Sequence, residues 1–259
     1  MRDVNIKTTL SLDKAIKILD CFSFDQQYCT IDTICKLVGI PKTTAYRLLY
    51  TLEMNGLIHY NEEDATYCLG MKALQYGGVV LGRLPIRKVA SSYIASLHQK
   101  TGFSVTLTVL EGHRLVYIDK CEGIEGVGYT SSIGRSRDPH FGSPGRVLMA
   151  YLDEQEVEQI LRSTPLKKYT DHTLIDPQAF MRELENIREQ GYGIDYDEII
   201  LGAGAIAAPI RNKWNEVVAA VTIVAPTKSI LDYPAAALVE QVCECAKQIS
   251  LAFSSDVHL

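Results

Sequence analysis

Lys42, Thr43, Thr44, Tyr46, Arg47 and Tyr50 lie within one run of nine residues and offer an ammonium, two hydroxyls, two phenols and a guanidinium. Groups of this kind donate to phosphate oxygens and to the edges of bases. Their spacing says how they are held. On a helical wheel of ~100° per residue, Ala45, Leu48, Leu49 and Leu52 fall at i, i+3, i+4 and i+7 and make a stripe fit for burial. Thr43, Arg47 and Tyr50 then occupy the opposite face, with Thr44 and Tyr46 at its edges and Lys42 placed for phosphate. Pro41 suits the first helical position, where its missing N–H would be unpaired anyway. From Thr33 to Leu52 there is no acidic residue. The stretch from Gly39 reads as the turn and second helix of a helix-turn-helix, which would lie in a DNA major groove.

A second place for chemistry is Gly142-Ser-Pro-Gly145. Ser143 reads as an N-cap and Pro144 as the first residue of a helix, with glycines leaving room for close approach. Unpaired amides and the positive end of the helix dipole would seat a carboxylate there. The plain alternative is that Ser143 only caps its helix. His140 reads as structural, and Arg146 as the partner of a carboxylate. Catalytic patterns fail on inspection. Gly202-Ala-Gly-Ala-Ile-Ala207 matches a dinucleotide fingerprint, but Pro209 and the β-rich run that follows exclude the helix the motif must open. The serine at 143 lacks the spacing of a nucleophile elbow. The six histidines at 59, 98, 113, 140, 172 and 258 are scattered, and no P-loop occurs. No catalytic residue, metal or cofactor is expected.

The bulk numbers bound the partners. At 259 residues the chain has room for two domains. Its net charge of −5 argues against a protein coated in nucleic acid. Residues 1–84 carry 9 Lys/Arg and 9 Asp/Glu, so the whole negative excess lies downstream. A locally basic helix on an acidic protein suits selective DNA contact. The N-terminus lacks a signal-peptide pattern, no apolar run reaches the length of a membrane span, and seven irregularly spaced cysteines point to reduced thiols in a cytoplasm.

The elements needed to position these residues can be traced along the chain. A helix capped by Ser11 buries Leu12, Ala15, Ile16, Leu19 and Phe22. Another runs from Thr30 to Gly39, and the groove-facing helix ends near Asn55-Gly56. Strands at 57–60 and 66–69 flank the acidic turn Asn61–Ala65. Residues 70–84 form a linker helix, and Pro85 marks the boundary. Beyond it come a helix at 86–100, strands at 103–110 and 114–120, a third strand near 126–132, and helices at 144–151, 153–162 and 177–190. Strands at 203–211 and 216–224 and a closing helix from 232 to 253 complete the chain. The expected fold class is α+β: a winged helix-turn-helix at 1–69, the linker helix at 70–84, and an antiparallel sheet domain flanked by helices at 85–259.

This series of motifs resembles the IclR family of bacterial transcription regulators over nearly the whole chain. The resemblance is carried by residues 11–20, by Pro41-Lys-Thr-Thr-Ala-Tyr-Arg-Leu-Leu49, by Tyr67-Cys-Leu-Gly-Met-Lys72, and by Ile133-Gly-Arg135, Gly191-Tyr-Gly-Ile-Asp195 and Ala205-Ile-Ala-Ala-Pro-Ile210. It implies a winged helix on operator DNA, a dimerising linker helix, a GAF-like effector domain, and homodimers that pair into tetramers. It also implies effector contacts at Ser143, Pro144, Asp195, Ala205, Thr222 and Val224. Two departures fall on that pocket. Arg146 stands where the family commonly has Lys, with Pro144 in place of a small residue, and the segment Leu201-Gly-Ala-Gly204 lacks a frequent Arg. With Asp195 and Thr222 as hydrogen-bonding groups and Ala205 and Val224 as wall, the expected effector is a small hydroxylated organic acid. The expected function is a regulator of a catabolic operon, with repression favoured over activation. The competing reading is a sensor that works through protein contacts with a degenerate winged helix.

Overall fold

The stripe of Ala45, Leu49 and Leu52 is stable only if neighbouring elements cover it, and in the computed structural model three helices and a small sheet do so. Residues 8–123, 132–233 and 235–255 are described. The chain divides into two units, Met1–Arg83 and Leu84–Leu259. In the first, α1 (Leu10–Leu19), α2 (Ile31–Val38) and α3 (Lys42–Met54) surround a core of Ile18, Phe22, Ile34, Ala45, Leu49 and Ile58. Thr30 caps α2 through its side chain, which accepts from the Thr33 amide at 3.3 Å. Gly39 ends α2 at φ 72°, a left-handed turn that glycine adopts without strain. Strands β1 (Cys29–Thr30), β2 (Ile58–Asn61) and β3 (Thr66–Leu69) form a sheet of order β1-β3-β2, and α4 (Met71–Gly82) follows.

Three local expectations need correction. Ser11 does not cap α1, which starts at Leu10 after Thr9 and has no side-chain cap. Leu12 and Ile16 are 61% and 50% exposed, while Ile18 is fully buried. The helix is apolar on two adjoining stripes, and periodicity alone does not say which one meets α3. Pro41 is the cap residue of α3, with ψ 148°, and Lys42 opens the helix. The strand β1 had no signal of its own at two residues long.

The second unit is built on one antiparallel sheet of order β6-β5-β4-β9-β8-β7. Its strands are β4 (Ser104–Glu111), β5 (Arg114–Cys121), β6 (Ser136–Arg137), β7 (Gly193–Tyr196), β8 (Ala203–Arg211) and β9 (Val217–Pro226). Side chains alternate between the faces. Val105, Leu107, Ile206, Val221 and Ile223 face one side, where α5 (Pro85–Thr101) and α10 (Ala235–Ser255) pack, with α9 (Thr227–Asp232) beside them. The other face lies beneath α6 (Gly142–Met149), backed by α7 (Glu154–Ser163) and α8 (Pro177–Gln190) through Leu148, Val157, Ile160, Phe180, Leu184 and Ile187. The expected strand near 126–132 falls, all but Ser132, on residues 124–131, outside those described. No helix among the described residues is long and apolar enough to cross a membrane.

Candidate functional site

The DNA-facing candidates sit together on α3. Lys42, Thr43, Tyr46, Arg47 and Tyr50 are exposed and Thr44 is half-buried, while Ala45 and Leu49 beneath them are closed to solvent. Tyr46 and Tyr50 keep 55% and 64% of their surface in water, much for aromatic side chains with a core so near. Lys42 is not a free cation. Asp32, on α2 and one residue before the acid-free window, lies 2.6 Å from its Nζ. That hydrogen bond, with the carboxylate's charge, raises the Lys42 ammonium above its ordinary value. The turn after β2 holds Glu62, Glu63 and Asp64 in solvent, and Asp64 is structural there: its carboxylate accepts from the Thr66 amide at 3.2 Å and from Thr66 Oγ1 at 2.6 Å.

The effector candidates converge at α6 and the sheet face below it. Every residue of α6 is buried, an environment that makes each of its polar groups need a partner. Gly145 permits this: a Cβ there would stand 2.2 Å from the Pro139 carbonyl oxygen. Ser143 is the second residue of the helix, not its cap, which is Phe141. Its backbone N–H donates to Asp195 Oδ2 at 2.6 Å. The carboxylate seat anticipated at this helix end is therefore taken by the protein's own Asp195. Burial pushes the Asp195 carboxyl above its usual range, against the pull of the Arg146 guanidinium and the Ser143 amide.

The sheet register places the remaining candidates. Asp195 is opposite Ala205, and Ala205 is opposite Val224, so the three form one row across β7, β8 and β9. Thr222, two residues before Val224, shares that face. Ala205, Val224 and Pro144 supply apolar wall, all buried. Thr222 Oγ1 is buried without a hydrogen-bond partner among the described residues. An orphan of this kind costs about 1–3 kcal/mol.

Arg146 donates to Glu198 at 2.6 Å and to the Ile194 carbonyl at 3.0 Å. Burial works against its charge, but the hydrogen bond and charge of Glu198 outweigh that effect. His140 is buried, edge-on to Phe180, and its Nε2 accepts from the Lys167 amide at 3.3 Å. Burial holds its imidazole below the ordinary value. Gly202–Ala207, the apparent dinucleotide fingerprint, runs from a turn glycine into β8. Among the described residues no group of three or more His, Cys, Asp or Glu is arranged to hold a metal.

Sequence reasoning missed two residues here, Glu198 and Thr106. Thr106 is fully buried opposite Thr222, and its Oγ1 is likewise unpartnered. The signal was present as Ser104, Thr106 and Thr108, hydroxyls alternating with apolar residues along the strand.

The outer face of α3 is polar, and the site beneath α6 is polar and buried. The family model described as IclR helix-turn-helix domain matches residues 11–62, and that described as bacterial transcriptional regulator IclR C-terminal matches residues 78–251. This chain belongs to the IclR family. The HTH-type transcriptional regulator XynR of Escherichia coli (strain K12) is 35% identical to it over 93% of this chain and 96% of its own length. The crystal structure of the Thermotoga maritima IclR aligns with TM-score 0.74 at 28% identity, over 95% of this chain and 99% of that one. An IclR homologue from Microbacterium hydrocarbonoxydans, solved in complex with 4-hydroxybenzoate, aligns with TM-score 0.82 at 25% identity, over 95% of this chain and all of that one (100%). The protein is thus an IclR-family transcriptional regulator, with a DNA-binding helix-turn-helix domain and an effector-binding C-terminal domain, and not an enzyme.

Proposed function

We propose that this regulator is a repressor of a catabolic operon. It would bind double-stranded operator DNA through Thr43, Thr44, Tyr46, Arg47 and Tyr50 of α3, with Lys42 on a phosphate. The observation that supports this is the outer face of α3, kept in water directly opposite a closed apolar stripe. In a homodimer, or a dimer of dimers, two such helices would address half-sites about 34 Å apart. Residues 70–84 would act as the linker helix between a DNA-binding domain at 1–69 and an effector and oligomerisation domain at 85–259. Arg47→Ala is expected to weaken operator binding by roughly 10- to 100-fold per half-site, as removal of one good base contact does, while leaving the melting temperature unchanged. An anisotropy titration against operator and mixed-sequence DNA measures both affinity and selectivity. Equal values for wild type and variant would remove Arg47 from the interface.

The effector in this reading is a small hydroxylated organic acid held between α6 and the sheet by Ser143, Pro144, Asp195, Ala205, Thr222 and Val224. Asp195 has one oxygen on the Ser143 amide, leaving the other to take a hydroxyl hydrogen. Burial disfavours its charge, which lessens its repulsion of an acid's carboxylate. The relative that carries 4-hydroxybenzoate, a hydroxylated acid, supports this class. Binding to the folded state alone raises apparent stability, so thermal-shift screening of sugar acids, hydroxy acids and aromatic acids tests it. Stabilisation only by cationic or purely apolar compounds would sink the idea.

A further inference from the structure

Three hydroxyl side chains line the face of β4 that lies on the α6 side: Ser104, Thr106 and Thr108. The outer two are engaged within the protein. Ser104 Oγ accepts from the Gly123 amide at 2.9 Å, and Thr108 Oγ1 donates to the Ala220 carbonyl at 3.4 Å. Thr106, between them, is fully buried and its Oγ1 finds no partner among the described residues. Directly across the ladder stands Thr222, equally buried and equally unpartnered.

Packing does not require these hydroxyls. Valine has nearly the same shape and suits a buried strand at least as well. Threonine at both positions therefore leaves two buried hydroxyls that need a partner from outside the fold. Opposed side chains in an antiparallel pair have Cβ atoms roughly 4.5–5.5 Å apart, so two neighbouring oxygens of one small molecule can each meet one hydroxyl. Each threonine can donate one hydrogen bond and accept others, which fits hydroxyl and carboxylate oxygens alike.

We propose that Thr106 is a specificity-determining residue of the effector site, forming with Thr222 a paired-hydroxyl clamp for two oxygens on adjacent carbons, as in a vicinal diol or an α-hydroxy acid. This rests on the effector reading given above. The clamp separates such acids from unhydroxylated ones of equal length, because the latter leave both threonines unpaired.

The test is calorimetric titration of the full-length protein with D-gluconate, glycerate, 4-hydroxybenzoate and hexanoate, with melting temperatures measured alongside. Gluconate or glycerate is expected to bind the wild type, and hexanoate not. Thr106→Val should weaken that binding by about tenfold or more, the loss of one hydrogen bond to a buried partner, without lowering the melting temperature of the free protein. Thr106→Ser, which keeps the hydroxyl, should bind like the wild type. Thr108→Val on the same face should lower the melting temperature and leave affinity alone. Thr106→Ala replaces the valine variant if the latter fails to fold. Equal affinity of wild type and Thr106→Val would overturn the clamp while leaving the organic-acid reading intact, and so would binding of 4-hydroxybenzoate alone. Should none of the four acids bind the wild type, the clamp falls together with that reading.

Discussion

α3 and α6 are both helices that carry an arginine beside one or more hydroxyl side chains, yet they use their polar groups in opposite ways. On α3 the polar groups point into water and the apolar ones inward, so the helix keeps its chemistry at the surface. On α6 every residue is buried, and the Arg146 guanidinium and the Ser143 amide must find partners inside the protein. Those partners, Glu198 and Asp195, both lie 52 residues further along the chain. A surface constellation depends on the geometry of one helix. A buried one depends on the whole sheet beneath it, and its polar groups affect stability as well as binding.

The strongest test of this contrast exchanges a charge for an apolar side chain at each site. Arg146→Met leaves the Glu198 carboxylate and the Ile194 carbonyl without their partner, and breaking a buried pair in this way costs about 3–5 kcal/mol. Denaturant unfolding should show that loss. At Arg47, exposed on α3, the same exchange should change stability by less than ~0.5 kcal/mol. Comparable effects at the two positions would end the comparison.

A smaller effect should appear in the pH dependence. Burial raises the folded-state pKa of Asp195 above its ordinary 3.8. The folded protein therefore holds this proton more tightly than the unfolded chain does. Its contribution to stability is fully present below that ordinary value and is lost as pH rises through the folded pKa. Asp195→Asn removes this titration while keeping an acceptor for the Ser143 amide. Melting curves from pH 4 upward should lose part of their decline in the variant. Identical profiles for variant and wild type would mean that Asp195 is not held toward its neutral form.

The smallest effect is expected at the wing. Glu62 and Glu63 are exposed, whereas Asp64 holds the turn, so only the first two are free to change without altering the hairpin. Glu62→Gln with Glu63→Gln should tighten binding to mixed-sequence DNA roughly two- to fivefold at low salt, and the gain should vanish as salt screens it. No change at low salt would place the wing tip away from phosphate.

Most of the first unit was legible in advance, because its signals are local. The Thr30 cap, Gly39, and the period of Ala45, Leu48, Leu49 and Leu52 each act within a few residues. The error in α1 is instructive for the same reason: two apolar stripes lie side by side, and only contact with α2 and α3 chooses Ile18 over Leu12 and Ile16. Asp32 escaped notice because the acid-free window begins at Thr33, and the turn folds α2's first residues back toward Lys42. In the second unit the long strands β4, β5, β8 and β9 could be read from alternation and glycine turns, whereas the short β6 and β7 were missed. Their pairing could not, and Thr106 shows why: its neighbour Thr222 is brought beside it by the β4–β9 ladder.

The sequence by itself determined the longer elements, the polar outer face of α3 and, through its motifs, the family. Those follow from periodicities and caps that operate over a turn or two of chain. The tertiary structure alone decided that Asp195 fills the end of α6, that Arg146 is held by Glu198, and that Thr106 and Thr222 stand side by side without hydrogen-bond partners for their hydroxyls among the described residues. The physical reason is separation along the chain. Strand register is set by burying whole faces at once, and no local signal states which distant hydroxyl or carboxylate will arrive opposite.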